Sequence, residues 1–334
     1  MSAADAPIVE ARGLSKKFVR TPDFAGRLAA KLGASVRDEV VHAVDSVDLA
    51  VGRGEVVGLV GESGCGKSTL GRMIAGLIAP SEGAVCFKGR DRAGLTGADA
   101  KAAQLAVQMI FQDSFASLNP RSRVAQIIGE APLVHGLTTR SALPGYVDEM
   151  LRRVGLDPDF KRRYPHQFSG GQRSRIGIAR ALAVKPEFLV CDEAIAALDV
   201  SIQAQIINLF LDLREALDLT YLFISHDLGV VRHIADRVVI MYLGRVVEAA
   251  PTADFFSAPN HPYAVALLSE VPRLGGKRAF TPVKGEIPSP LDPPSGCHFN
   301  PRCPHAMARC RTEAPRLREI APGRLSACHL NDAS

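Results

Sequence analysis

Three short, unbroken apolar runs punctuate the chain: Val56-Val57-Gly58-Leu59-Val60, Phe188-Leu189-Val190-Cys191 and Tyr221-Leu222-Phe223-Ile224. Runs this short, with no polar alternation, predict strands buried on both faces, as in a parallel sheet. Elsewhere the period changes. Ala43 to Leu49 alternates apolar and polar like a half-buried strand, and Ile8 to Phe18 predicts a first strand with a polar break. Leu70, Ile74 and Leu77 share a helical face after the first run. Ile202, Ile206, Leu209, Phe210, Leu213 and Leu217 do the same across Asp199 to Leu217. Pro80-Ser81-Glu82-Gly83 predicts a turn into a strand at Ala84 to Phe87, and Ala106 to Phe111 a strand ending at Gln112. Beyond it the composition turns helical up to Pro165, with breaks expected at Pro120, Pro132 and Pro144, which predicts an inserted helical subdomain. Gln167 to Gln172 opens a further helix carrying Ile176, Ile178, Ala179, Ala181 and Leu182. Val238 to Tyr242 and Arg245 to Glu248 read as strands joined at Leu243-Gly244. Phe24, Leu28 and Leu32 fit a short helix within residues 20–41, a stretch with no assigned role. From about Pro259 proline and glycine become frequent and long helical faces stop. A boundary near Val271 is expected to divide a unit over 1–270, with its helical subdomain at about 113–168, from a loop-rich tail over 271–334.

Composition narrows the classes. The 334 residues suffice for one large domain plus an appendage, and 47% hydrophobic content supports a real core. A net charge of +5 is too mild to imply nucleic acid or an anionic membrane surface. No apolar run approaches the roughly 20 residues of a membrane span. Met1 to Pro7 lack a signal-peptide pattern, so the chain is expected in the cytoplasm. Its seven cysteines are then not a disulfide framework by default. Four of them, Cys297, Cys303, Cys310 and Cys328, crowd into the tail as C-x5-C-x6-C-x17-C. Four thiolates suit a soft metal. The gaps differ from the C-x2-C of zinc ribbons and are wide enough to wrap a cubane cluster. Zinc, or four free thiols in a small core, are the alternatives.

The chemistry-bearing groups fall at the ends of the apolar runs. Gly61-Glu62-Ser63-Gly64-Cys65-Gly66-Lys67-Ser68-Thr69 reads G-x-x-x-x-G-K-S between a strand and a helix, the Walker A phosphate loop. Its glycines let backbone N–H groups close around phosphate oxygens, and the helix aims its positive end at the same anion. Lys67 would reach the β and γ phosphates, and Ser68 would ligate Mg²⁺. A glycine-rich turn with no ligand is the alternative. Asp192 would hold Mg²⁺ through its water shell and Glu193 would polarise a water, unless the pair is a salt-bridged strand end. His226 could contact the γ-phosphate, and Gln112 could sense metal and phosphate; each is also an ordinary structural residue type. All lie where open α/β sheets bind ligands, at the carboxyl ends of strands.

Phe168-Ser169-Gly170-Gly171-Gln172 resembles the LSGGQ element of ATP-binding-cassette proteins, with Phe168 in place of the usual leucine. The order phosphate loop, Gln112, Ser-Gly-Gly-Gln, Asp192-Glu193, Ala197-Leu198-Asp199, His226 is similar to that of the family's ATPase subunits, over about Ile8 to Tyr263. The resemblance implies an α/β P-loop NTPase core with an antiparallel β subdomain and the inserted helical subdomain. It also implies ATP and Mg²⁺ bound in a head-to-tail dimer. There Ser169, Gly170, Gly171 and Gln172 of one subunit close over the γ-phosphate held by the other. Phe18 lies where the family stacks an aromatic residue on adenine, a place where tyrosine is commoner; a core phenylalanine is the alternative. Residues Ala194 and Ala196 depart from the proline after the glutamate, and the serine before Ala197, that relatives often carry.

Finer segments resemble the ATPases of oligopeptide and dipeptide importers, nearest to the second ATPase of a dipeptide pair. They are Phe111-Gln112-Asp113-Ser114-Phe115-Ala116-Ser117-Leu118-Asn119-Pro120-Arg121, Asp199 to Gln205, Asn260-His261-Pro262-Tyr263, and the tail from Gly296-Cys297 onward. That branch implies two transmembrane permease subunits, a second and paralogous ATPase subunit, an extracytoplasmic peptide-binding protein and a place on the cytoplasmic face of the inner membrane. Its tail implies a [4Fe–4S] cluster on Cys297, Cys303, Cys310 and Cys328. Another cargo, such as nickel chelates, fits the same class. A soluble cassette acting on DNA or ribosomes usually has two cassettes or a coiled-coil insertion, neither of which is present. Intact Glu193, His226 and Ser-Gly-Gly-Gln argue against a non-hydrolysing regulatory cassette.

Overall fold

The computed structural model describes residues 6–20, 39–113, 116–196, 198–270 and 285–332. The expected helix around Phe24 to Leu32 and the boundary at Val271 lie outside the described residues.

The smaller of two sheets is antiparallel. Strands β1 (Val9–Arg20), β2 (Glu39–Val51), β4 (Glu82–Phe87) and β5 (Arg90–Asp91) form it in the order β2-β1-β4-β5. The larger sheet is built on the apolar runs: β3 (Val56–Val60), β6 (Val107–Ile110), β7 (Phe188–Asp192), β8 (Thr220–Ser225) and β9 (Arg237–Tyr242). It continues through β10 (Arg245–Pro251), β12 (Arg324–Ser326) and β11 (Arg318–Ala321). Its order is β11-β12-β10-β9-β3-β8-β7-β6, parallel from β9 to β6 and antiparallel beyond β9. The unbroken runs have a physical cause, because both faces of these strands are covered. Val56, Val60, Leu189, Cys191, Tyr221 and Phe223 pack into one core on the helical side. Val57, Leu59, Phe188, Val190, Leu222 and Ile224 pack into a second core, toward the antiparallel sheet.

Helix α1 (Lys67–Ile74) follows the phosphate loop and buries Leu70 and Ile74. The expected third member of that face, Leu77, is 53% exposed: the helix has ended, and Gly76 turns the chain at φ +77°. Helix α2 (Gly97–Ala106) has no counterpart in the apolar pattern, since alanines 103 and 106 are all it buries. Within the helical region, α3 (Val124–Val134) and α4 (Leu143–Arg153) pack on α5 (Gly170–Leu182). Pro132 was expected to break a helix and instead sits in the last turns of α3. It is buried there with Val124, Ile127 and Ile128, and that packing offsets the missing backbone bond. Pro144 starts a helix, near the beginning of α4, where its absent N–H costs nothing. Helix α6 (Val200–Leu217) buries Ile206, Leu209, Phe210 and Leu213. Three short helices follow: α7 (Leu228–Ile234), α8 (Thr252–Ser257) and α9 (Pro262–Ser269).

The tail is not a free-standing appendage. Its strands β11 and β12 extend the large sheet through β10, with Glu248 opposite Ser326 and Ala249 opposite Leu325. Phe299 is 2% exposed and sits among the rings of Tyr242, Tyr263 and His261, at 5.2, 5.4 and 5.8 Å between centroids.

Candidate nucleotide site

The loop after β3 closes where only glycine fits. Gly66 has φ +103°, and a Cβ there would stand 2.0 Å from the Ala43 carbonyl oxygen. At Gly61 it would stand 2.1 Å from that of Met241. The backbone is therefore free to curl tightly between β2 and β9. Lys67 is 4% exposed, and its Nζ donates to the carbonyls of Gly61 at 2.7 Å and Glu62 at 3.0 Å. The ammonium is thus stored inside the loop it would leave to meet a phosphate. Cys65 is buried beneath it as a thiol whose pKa burial pushes up.

The three strand ends converge on this loop. The Ser68 hydroxyl donates to Asp192 Oδ1 at 2.8 Å, from the end of β7. Burial raises the Asp192 carboxyl pKa, and the Ser68 hydrogen bond, Arg72 and Lys67 oppose that rise. Glu193 takes φ +46°, which turns its side chain out of the strand, and its N–H donates to the Ile224 carbonyl on β8 at 3.0 Å. Its carboxylate gathers the other two candidates: Gln112 Nε2 donates to Oε2 at 2.7 Å, and His226 Nδ1 lies 3.5 Å from Oε1. Ser68, Lys67, Gln112 and Glu193 line one pocket together with Ser63, Gly64, Gly66 and Thr69. Phe18 lines it as well and is 43% exposed, so it is not a core residue. The Lys16 ammonium lies 5.3 Å from the centre of its ring.

The Ser169–Gln172 element is not part of this pocket within one chain. Ser169 caps α5, its hydroxyl accepting from the Gln172 N–H at 3.3 Å while Gln172 Oε1 accepts from the Ser169 N–H at 3.1 Å. Ser169 and Gly170 are exposed, and Gly171 leaves no room for a side chain, since a Cβ would stand 2.6 Å from Ile202. Phe168, at the usual leucine position, is buried edge-on against Phe160 at 5.4 Å.

The four late cysteines form no disulfide, and Cys303, Cys310 and Cys328 lie close enough to Cys297 to act on its thiol electrostatically. Burial pushes the Cys297 pKa up to about 11, with Cys310, Cys328 and Cys303 adding to the rise. Burial also raises Cys303 and Cys328. Among the described residues, however, no three His, Cys, Asp or Glu side chains form a metal-holding group.

Sequence reasoning missed three contacts. Arg302 grips Glu62 with both guanidinium ends, the Glu62 N–H donates to the Tyr263 hydroxyl at 2.9 Å, and Pro290 lines the nucleotide pocket. Tyr263 and Arg302 lie in segments that the sequence marks, but nothing in it pairs them with Glu62, because each contact joins the phosphate loop region to residues far along the chain.

The chain is similar to known proteins in sequence and in fold. Residues 44–196 match the family model described as ABC transporter, and residues 247–310 match the oligopeptide/dipeptide transporter C-terminal region. The oligopeptide transport ATP-binding protein AppF of Bacillus subtilis is 49% identical over 328 residues, covering 97% of each chain. Among solved structures, a dimeric ATP-binding cassette in a post-hydrolysis state with ADP and Pi is 26% identical, with TM-score 0.61, over 73% of this chain and 98% of that one. The structure of cbiO1 from Clostridium perfringens, titled as part of the ABC transporter complex cbiONQ, is 25% identical with TM-score 0.61, over 76% of this chain and 92% of that one.

Proposed function

The chain belongs to the ATP-binding subunits of ABC transporters, and from that premise we propose that it hydrolyses ATP to drive import of peptides through separate membrane subunits. The observation that carries the hydrolytic reading is the carboxylate of Glu193, held between Gln112 and His226 beside Lys67 and the Ser68–Asp192 pair. Lys67 exchanges its two loop carbonyls for phosphate oxygens. Glu193 accepts a hydrogen bond from a water and aims it in line at the γ-phosphorus. The water oxygen bonds to phosphorus as the bond to the bridging β,γ oxygen breaks, and ADP and phosphate leave. His226 contacts the departing γ-phosphate. Ser68, and Asp192 through a water, would hold Mg²⁺, which would draw charge from the phosphate oxygens. Phe18 offers an exposed aromatic face for the adenine. The exposed α5 terminus at Ser169, Gly170, Gly171 and Gln172 meets the nucleotide of a second cassette, a paralogue or a copy, across a dimer.

No helix among the described residues is long and apolar enough to cross a membrane. In the proposed complex, permease subunits supply the path. A groove of about 550 Å³ between the helical region and the sheet, lined by Phe111, Gln112, Asp113, Ala131 and Arg180, is the proposed seat for a cytoplasmic helix of such a subunit. Gln112 belongs to both groove and nucleotide pocket, which couples them. An extracytoplasmic binding protein delivers the peptide, and the cassette works at the cytoplasmic face. Support for peptide cargo comes from the matched C-terminal region and from the name of AppF.

The deciding experiment compares Glu193→Gln with Lys67→Ala in the assembled complex. The first should retain ATP and lose hydrolysis; the second should lose nucleotide engagement itself. Wild-type turnover by Glu193→Gln, with the companion cassette silenced, would remove Glu193 from its role.

For the tail, Cys297, Cys303, Cys310 and Cys328 are the proposed ligands of a [4Fe–4S] cluster, on the strength of their thiol chemistry and shared neighbourhood. Anaerobically purified protein should carry about four irons per chain with broad visible absorbance. Colourless protein without iron would end that assignment.

A further inference from the structure

We propose that Arg302, from the C-terminal region, is a positioning residue of the nucleotide site: it holds and neutralises Glu62, the carboxylate within the phosphate loop. The inference rests on the reading of residues 61–69 as the ATP site. A carboxylate in a loop that collects phosphate oxygens works against its own ligand, because like charges at short range in a partly buried site repel strongly. Arg302 answers that charge fork to fork, Nη1 to Oε2 at 2.7 Å and Nη2 to Oε1 at 2.9 Å. The Arg302 side chain is 5% exposed and that of Glu62 23%, so water screens the pair little.

Stability alone does not account for this arrangement. A buried ion pair gains little over an apolar pair of the same shape. Here the arginine also leaves its buried Nε without a hydrogen-bond partner. Its guanidinium carbon lies 5.8 Å from the centre of the Tyr242 ring, against which Phe299, three residues earlier, also packs. The Glu62 backbone is held on two further sides, by the Tyr263 hydroxyl and by Lys67. When Lys67 turns to a phosphate, Tyr263 and Arg302 remain to keep Glu62 turned away. A second, separate contact brings the same region to the other end of the pocket. The His42 N–H donates to the Pro290 carbonyl at 3.0 Å, and Pro290 lines the pocket with Phe18. The C-terminal region thus touches the site at both the phosphate end and the aromatic end.

The test is ATP affinity of the full chain, measured by calorimetry, for Arg302→Met and for Arg302→Met combined with Glu62→Gln. Leaving Glu62 charged and unheld is expected to weaken ATP about tenfold at low ionic strength, and less as salt rises. Removing the carboxylate in the double variant is expected to recover affinity to within about threefold of wild type. A merely structural arginine would give a double variant no better than the single one, and no salt dependence. Either of those results, or wild-type affinity in Arg302→Met, overturns the inference. Should Arg302→Met not fold, Arg302→Lys serves, since a point charge cannot hold both oxygens. About a threefold loss, recovered by Glu62→Gln, is then expected, and no loss overturns the inference. Lys67→Ala in the same assay separates the two readings. If it loses ATP while the arginine variants do not, this inference alone fails. If it also keeps ATP, the assignment of the loop fails.

Discussion

Glu193 occupies a backbone conformation that side chains rarely take. Its φ of +46° costs on the order of 1 kcal/mol for a residue other than glycine, and the bond from its N–H to Ile224 helps to hold it. The turn carries the carboxylate out of the strand to meet Gln112 and His226. Glutamine at this position keeps the shape and the acceptor oxygen but loses the charge that orients and polarises water. Glu193→Gln is therefore expected to lower kcat by about 10² to 10⁴ while ATP affinity stays within about threefold, measured as steady-state turnover against equilibrium binding. The identities of Lys67, Ser68, Asp192, Glu193 and His226 were legible because each ends an apolar run or lies in a spaced motif. The left-handed turn at Glu193 was not, since no local pattern marks a strained angle. Phe18 was legible only as an aromatic on a strand; its exposure depends on what β1 packs against. Arg302 was invisible for another reason: its partner lies 240 residues away.

Elements were legible in proportion to the apolar surface they bury. The runs at β3, β7 and β8 show as unbroken because two cores cover them, and α6 shows through its periodic stripe. Helix α2 buries little beyond two alanines and left no stripe to read. Leu77 completes a helical face on paper, but a glycine one residue earlier has already turned the chain. The cap of α9 carries a consequence for acidity. His261 is 1% exposed, and its Nδ1 accepts from the Tyr263 N–H at 3.1 Å, which requires a neutral ring. Burial pushes its pKa down to about 4. In the unfolded chain the same ring protonates near 6.5. Above that pH both states are neutral and stability is full. As pH falls from about 6.5 toward 4 the unfolded state gains a proton that the folded state refuses, and up to about 3 kcal/mol is lost. His261→Asn, which can still cap the helix, should flatten that part of the profile. Urea unfolding at pH 7.5, 5.5 and 4.5 checks it, and an unchanged slope would acquit His261.

At the scale of the whole molecule, the loop-rich texture after Pro259 was readable, but its attachment was not. Strands β11 and β12 are short and weakly patterned, and their pairing with β10 is a long-range contact no window detects. Because β12 covers β10, removing residues 318–332 should leave an unpaired strand edge. The shortened chain is expected to scatter light and elute as aggregate where the full chain does not; a monodisperse product would show that β10 needs no cover. The same order of strands sets a schedule for synthesis. Domains generally fold from the amino terminus as they leave the ribosome. The phosphate loop and β10 therefore emerge long before the residues that hold Glu62 and cover that edge. A nascent cassette passes through a stage with its nucleotide loop slack and one sheet edge bare, where chaperones can find it. A product of premature termination before Arg302 never leaves that stage: its Glu62 lacks the arginine fork and its β10 lacks a neighbour on the outer side.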